Sequence, residues 1–162
     1  MYYRKIEGEK IYLSPMDKNN EIPLLTKWFN EDESIAYNNG FISSISNEEN
    51  ISETVDKWNE SGMIFSIINK ETDEFMGHVS FFGADNNKTF ITMGIYIAEE
   101  YRGNGYGLEA IKLSTEYMFR FHVYRSIHLE VFSYNEGAYR LYQKAGFKEC
   151  GRFHNSRYFN GK

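Results

Sequence analysis

A chain of 162 residues is the size of one ordinary domain, and it can bury a single sizeable core, so one domain over 1–162 is expected. A formal net charge of −5 argues against a nucleic-acid partner, which needs a basic face. Two prolines and 13 glycines, with 41% hydrophobic and 25% charged residues, exclude collagenous and Pro-rich segments.

Lys10-Ile11-Tyr12-Leu13-Ser14 is a short strand ended by Pro15. From Asn19 to Phe29, Ile22, Leu24, Leu25, Trp28 and Phe29 recur at helical spacing. The Asn-rich, acidic stretch from Asn30 to Gly40 reads as a loop. Asn47 caps a second helix with Ile51, Val55 and Trp58 on one face, and Ser61-Gly62 stops it. The period then changes. Met63 to Asn69, Phe75 to Gly83 and Thr89 to Ile97 form an antiparallel meander, parted by turn residues at Lys70 to Asp73 and Asp85 to Asn87. A glycine-rich turn opens a helix from about Tyr106 to His122. Ser126 to Ser133 is a strand, Asn135 to Lys144 a short helix, and Phe147 onward a last strand. Strand, turn, helix and strand in that order make a mixed α/β sheet.

Two further features concern compartment and chain end. Cys150 is the single cysteine, which excludes an internal disulfide and suits a reducing compartment. The first residues lack the apolar run of a signal peptide, and no stretch approaches the roughly 18 apolar residues of a membrane span. A cytoplasmic protein without membrane contact is expected. Asn160-Gly161 is a strong hairpin signal with only Lys162 after it, so either the terminus is frayed or a returning strand is missing or supplied by another chain.

Chemistry concentrates between Gly94 and Ala110. A strand runs into Arg102-Gly103-Asn104-Gly105-Tyr106-Gly107, and that turn opens a helix. Glycines let backbone N–H groups approach a phosphate, the helix N-terminus favours an anion, and Arg102 can add a charged clamp. The physical reading is a pyrophosphate cradle. A P-loop would need Lys-Ser/Thr where Leu108-Glu109 stand. A dinucleotide fingerprint would need a glycine at Leu108 and its first glycine at the strand end, although Glu130 could pass as the ribose acid. A glycine turn with no ligand is the structural alternative.

The turn, with Ile95-Tyr96-Ile97 before it and Leu108-Glu109-Ala110 after it, resembles motif A of the GNAT superfamily of N-acetyltransferases. Asn135-Glu136-Gly137-Ala138, leading to Tyr142 and Gly146-Phe147, resembles the later family pattern N-x-x-A-x-x-x-Y-x-x-x-G-F. The likeness is strongest to the ribosomal-protein alanine acetyltransferases and spermidine acetyltransferases, and it is specific from about Met76 to Lys162. It implies a single mixed, mostly antiparallel sheet with helices on both faces, a splayed pair of parallel central strands around Ile95 and Leu129, and a last strand missing after Lys162. It also implies acetyl-coenzyme A as acetyl donor, with the pantetheine arm along Ile95, Tyr96 and Ile97. Amides of Arg102, Gly103, Asn104, Gly105, Tyr106 and Gly107 would hold the pyrophosphate, and Asn135 would contact the arm.

Within that resemblance Tyr142 is the general acid that protonates the departing thiolate, with Tyr139 one helical turn away as substitute. Core packing is the bland alternative for Tyr142. The base stays open. Many relatives carry Glu in a segment like A-E-I-G-I-Y, whereas Thr92 stands there in Ile91-Thr92-Met93-Gly94-Ile95-Tyr96. Glu130, His78 or a water chain could serve. The four histidines show no paired ligand spacing, so no metal is expected, and Cys150 has no activating neighbour.

Acceptor choice is placed in the first half: the helix pair, the loop from Glu31 to Gly40, and the Asp85 to Lys88 turn. The spermidine branch is acidic after the first helix, but here Tyr37-Asn38-Asn39-Gly40-Phe41 carries amides. A small-molecule amine such as a polyamine or amino sugar, or a protein N-terminus, is the expected acceptor. A catalytically silent acyl-coenzyme A-binding module is the competing reading. An open edge beside Phe147 to Phe159 would let a second copy of the chain pair there as a homodimer.

Overall fold

The computed structural model describes residues 1–32 and 46–156. Its elements run β1 (Ile6–Glu7), β2 (Ile11–Pro15), α1 (Lys18–Glu31), α2 (Glu48–Ser61), β3 (Met63–Asn69), β4 (Phe75–Phe82), β5 (Phe90–Ile97), α3 (Tyr106–Phe121), β6 (Ser126–His128) and α4 (Glu136–Lys144), with a 3₁₀ turn at Glu99–Tyr101. The strands form one sheet in chain order. Pairings from β1 to β5 are antiparallel, and β6 joins β5 in parallel.

Alternation along the strands builds two cores, one on each face. Leu13, Phe65, Val79, Phe81, Ile91 and Met93 pack with Ala110, Ile111 and Met118 of α3. On the other face Ile64, Ile68, Phe75 and Tyr96 meet Ile22, Leu25 and Trp28 of α1 and Ile51 and Val55 of α2. Because helices cover both faces, β3 and β4 are buried almost throughout, and their sequences are near-continuous apolar runs. Asn47 caps α2 as its sequence demands, accepting the Asn50 amide at 2.8 Å. This is the mixed α/β sheet expected, with helices on both faces and a parallel pair that parts beyond Thr92.

Three elements differ from expectation. β1 is an additional two-residue strand, set by the pairing of Ile6 and Glu7 with Leu13 and Tyr12. β6 ends at His128, five residues before the expected Ser133. Residues 147–156 hold no strand, although one was expected from Phe147. A strand exists through its ladder, and here the Phe147 amide bonds back to the Tyr142 carbonyl at 3.0 Å. Arg152 and Tyr139 bind the Glu149 carboxylate, which ties the segment to α4 instead. Asn160-Gly161 and most of the loop from Glu31 to Gly40 lie outside the described residues.

One buried group makes stability pH-dependent. Glu21 of α1 is fully buried and accepts the Ser66 hydroxyl on Oε2 at 2.5 Å, while Oε1 has no partner among the described residues. Burial pushes its carboxyl from 4.5 up to about 7. A raised acid pKa means the folded state holds its proton longer, so the contribution of Glu21 to stability is most favourable below pH 4.5 and falls as pH rises to about 7. With about 1.4 kcal/mol per pKa unit, the loss is up to about 3 kcal/mol. Urea unfolding of the native chain and Glu21→Gln at pH 5 and pH 8 should show the difference between them moving in the variant's favour at the higher pH. An unchanged difference would mean that Glu21 does not titrate there.

Candidate functional site

The site forms where β5 loses a neighbour. β5 pairs with β6 only at Phe90, Ile91 and Thr92, opposite Ser126, Ile127 and His128. From Met93 to Ile97 the β6-side edge of β5 has no strand beside it among the described residues, while its other edge remains paired with β4. Apart from the Ile97 carbonyl, which accepts Arg102 Nε, that leaves main-chain donors and acceptors available along an extended segment. Side chains alternate along it: Ile95 and Ile97 pack toward α3 and α4, and Tyr96 points to the opposite face.

The open edge leads into the glycine turn. Gly103 and Gly105 have φ of +79° and +82°, a region closed to most side chains. A Cβ on Gly103 would meet nothing within 4 Å, so conformation rather than crowding calls for glycine there. Gly105 is the N-cap of α3 and offers no side-chain cap, so the amides of Tyr106, Gly107 and Leu108 are left without intrahelical partners. Amides without intrahelical partners at the positive end of a 16-residue helix form a backbone setting that favours an anion. Lys10 brings a cation to the rim: its Nζ donates to the Asn104 carbonyl at 3.1 Å, and its amide donates to the Glu109 carboxylate at 3.0 Å. Sequence reasoning missed Lys10, because 94 residues separate it from its partner and only the β1–β2 turn brings it there.

Arg102 departs from the expected clamp. Its amide donates to the Glu99 carbonyl at 3.2 Å and its Nε to the Ile97 carbonyl at 2.8 Å. Its Nη2 lies 2.6 Å from Oδ2 of Asp32, the residue that ends α1. Tyr96 donates its hydroxyl to the same Oδ2 at 3.0 Å, and the Arg102 guanidinium lies 5.8 Å from the Tyr96 ring centre. Burial and the Asp32 charge push the Tyr96 phenol far above its ordinary value. No local pattern marked Asp32; its role comes from tertiary placement alone.

α4 closes the other side. Asn135 caps it, its side chain accepting the Ala138 amide at 3.2 Å. Leu141 Cδ2 lies 3.4 Å, and Ile97 Cγ1 3.8 Å, from where a Cβ on Gly107 would stand, so β5, the first turn of α3 and α4 meet at this glycine. Tyr142 beside it is half-buried, with its ring 6.2 Å from that of Phe147. Its hydroxyl has no hydrogen-bond partner among the described residues and is not sealed from solvent. Burial pushes the phenol up to about 12. Tyr139, the substitute, is committed to Glu149 at 3.0 Å.

The candidate bases separate. Glu130 lies two residues past the end of β6 and is exposed, so it is not the strand carboxylate expected. His78 of β4 is buried, with its centre 5.4 Å from Trp58 and 6.1 Å from Tyr96, and Nδ1 has no partner among the described residues. Burial lowers it to about 4, which keeps the imidazole neutral at ordinary pH. Asp85, placed by the sequence in the acceptor region, lines a surface cleft with Lys88, Met118 and His122. That cleft is at the far end of α3 from Gly105, roughly 20 Å away by helical rise.

This arrangement has known counterparts. A family model for the acetyltransferase (GNAT) domain matches residues 10–148. Over 91 residues, 54% of this chain, the sequence is 32% identical to YokL, a prophage-derived uncharacterised N-acetyltransferase of Bacillus subtilis (strain 168). That match spans about half (50%) of the relative's length. Among solved structures, RimL, a ribosomal L7/L12 alpha-N-protein acetyltransferase in complex with coenzyme A, is similar with a TM-score of 0.83 at 14% identity, over 95% of this chain and 89% of that one. A spermidine N-acetyltransferase from Vibrio cholerae, in complex with coenzyme A and spermine, has a TM-score of 0.79 at 18% identity, over 96% and 90%. An open strand edge running into a glycine-capped helix, on a fold shared with these structures and within a domain model spanning most of the sequence, leads to one conclusion: the chain belongs to the acetyltransferase (GNAT) domain family.

Proposed function

We propose that the chain is a single-domain N-acetyltransferase that binds acetyl-coenzyme A and moves its acetyl group to a primary amine, in the cytoplasm. The observation that carries this reading is the edge of β5 beyond Thr92, without a strand beside it among the described residues, which runs directly into the amides at the start of α3 that lack intrahelical partners. An extended arm with amide groups can pair with such an edge as an added strand does, and a diphosphate suits the helix start. Ile95, Tyr96 and Ile97 would hold the arm through their backbone, Gly103 to Gly107 the diphosphate, and Asn135 the arm from the side of α4. When bound, acetyl-coenzyme A supplies the acetyl group as an activated thioester. Tyr142 Oη has no hydrogen-bond partner among the described residues, which leaves its proton available to a developing thiolate.

Both an amine metabolite and a peptide N-terminus are acceptors in keeping with the relatives, one being a spermidine acetyltransferase and another an alpha-N-protein acetyltransferase. Thiol release should be followed with polyamines, amino sugars and N-terminal peptides as acceptors. Release that depends on one amine class supports the transferase. Coenzyme A binding with no release for any amine would favour the silent acyl-coenzyme A-binding module.

A further inference from the structure

Asp32 belongs to the end of α1, on the opposite face of the sheet from α3, yet it is joined to the glycine turn. Its side chain is 5% exposed, so the ion pair with Arg102 is shielded on the carboxylate side. Arg102 continues the link through Nε to the carbonyl of Ile97, the last residue of β5. One guanidinium therefore spans the junction where the open strand edge becomes the turn. The Tyr96 hydroxyl on the same carboxylate oxygen fixes that oxygen from the strand side. An arginine fork held at both ends is a rigid spacer, in a way that a lysine cannot reproduce.

We propose that Asp32 is a positioning residue for the cofactor, holding Arg102 against the Ile97 carbonyl so that the β5 edge and the glycine turn keep one fixed relation. This rests on the acetyl-coenzyme A reading and deepens it. Cofactor binding then depends on a carboxylate that does not touch the cofactor. The competing arrangement is an Arg102 that swings out to clamp the diphosphate itself. The two make opposite statements about Asp32: as a positioning residue its loss weakens binding, whereas as a competitor for the guanidinium its loss strengthens binding.

Calorimetric titration of coenzyme A into the native chain, Asp32→Asn, Arg102→Gln and the double variant separates them. Each single change should weaken binding at least about five-fold, with the double variant no weaker than the worse single, as for one coupled unit. Arg102→Lys keeps a charge opposite Asp32 but loses the fork, and should weaken binding to a similar degree. This holds the test open should Asp32→Asn fail to fold. Asp32→Asn binding as tightly as the native chain or tighter, full affinity in Arg102→Lys, or additive losses would each overturn the proposal. A native chain that ignores coenzyme A would instead overturn the cofactor reading.

Discussion

Gly105→Val lowers coenzyme A affinity at least about ten-fold, since a β-branched residue is strongly disfavoured at positive φ. Gly105 sits at φ +82° as the N-cap of α3, and the three amides behind it take their direction from that residue. Valine either holds the strained conformation, at about 1–2 kcal/mol or more in stability, or flips the turn and disperses the amides. Relieving the strain in the free protein means binding must restore it, so the cost appears as lost affinity. Gly151→Ala is the control: its Cβ would meet nothing within 4 Å and it lies outside the positive-φ set. Calorimetry on both variants, with melting curves for folding, reads the result. Native affinity in a folded Gly105→Val chain would remove the turn from the binding site.

Tyr142→Phe lowers turnover about ten-fold or more while leaving coenzyme A affinity nearly intact, the pattern expected when a proton donor is lost and binding is not. The hydroxyl has no partner among the described residues, so its removal breaks no internal hydrogen bond and the ring still packs beside Phe147. Stability should therefore change little. The raised phenol, at about 12, also predicts no loss of activity from its ionisation between pH 7 and 10. Tyr139→Phe should keep full turnover, because that hydroxyl is engaged with Glu149. Unchanged turnover in Tyr142→Phe, measured by thiol release, would transfer the role to another donor.

Much of the fold was legible because its signals are local. The meander β3 to β5 is written in runs of Ile, Phe, Val and Tyr parted by turn residues, and Asn47 and Asn135 mark helix starts by their own capping chemistry. The glycine turn was legible for the same reason, since two left-handed positions one residue apart, Gly103 and Gly105, need glycine whatever the rest of the chain does. The misreadings are all tertiary. β1 is too short to show a period and exists only through β2. The apolar residues after Gly146 read as a strand, but among the described residues no ladder partner stands beside them, and the Phe147 amide and the Glu149 carboxylate turn back to α4. The Asp32 partner of Arg102, 70 residues earlier in the chain, escaped as well. Lys10 escaped for the same reason.

Titrating acetyl-coenzyme A into the 162-residue chain by calorimetry, with NAD and ATP as controls, tests the central reading most directly. Selective one-to-one binding of acetyl-coenzyme A is expected. A chain that melts cooperatively and yet binds none of the three, or prefers NAD, would contradict it.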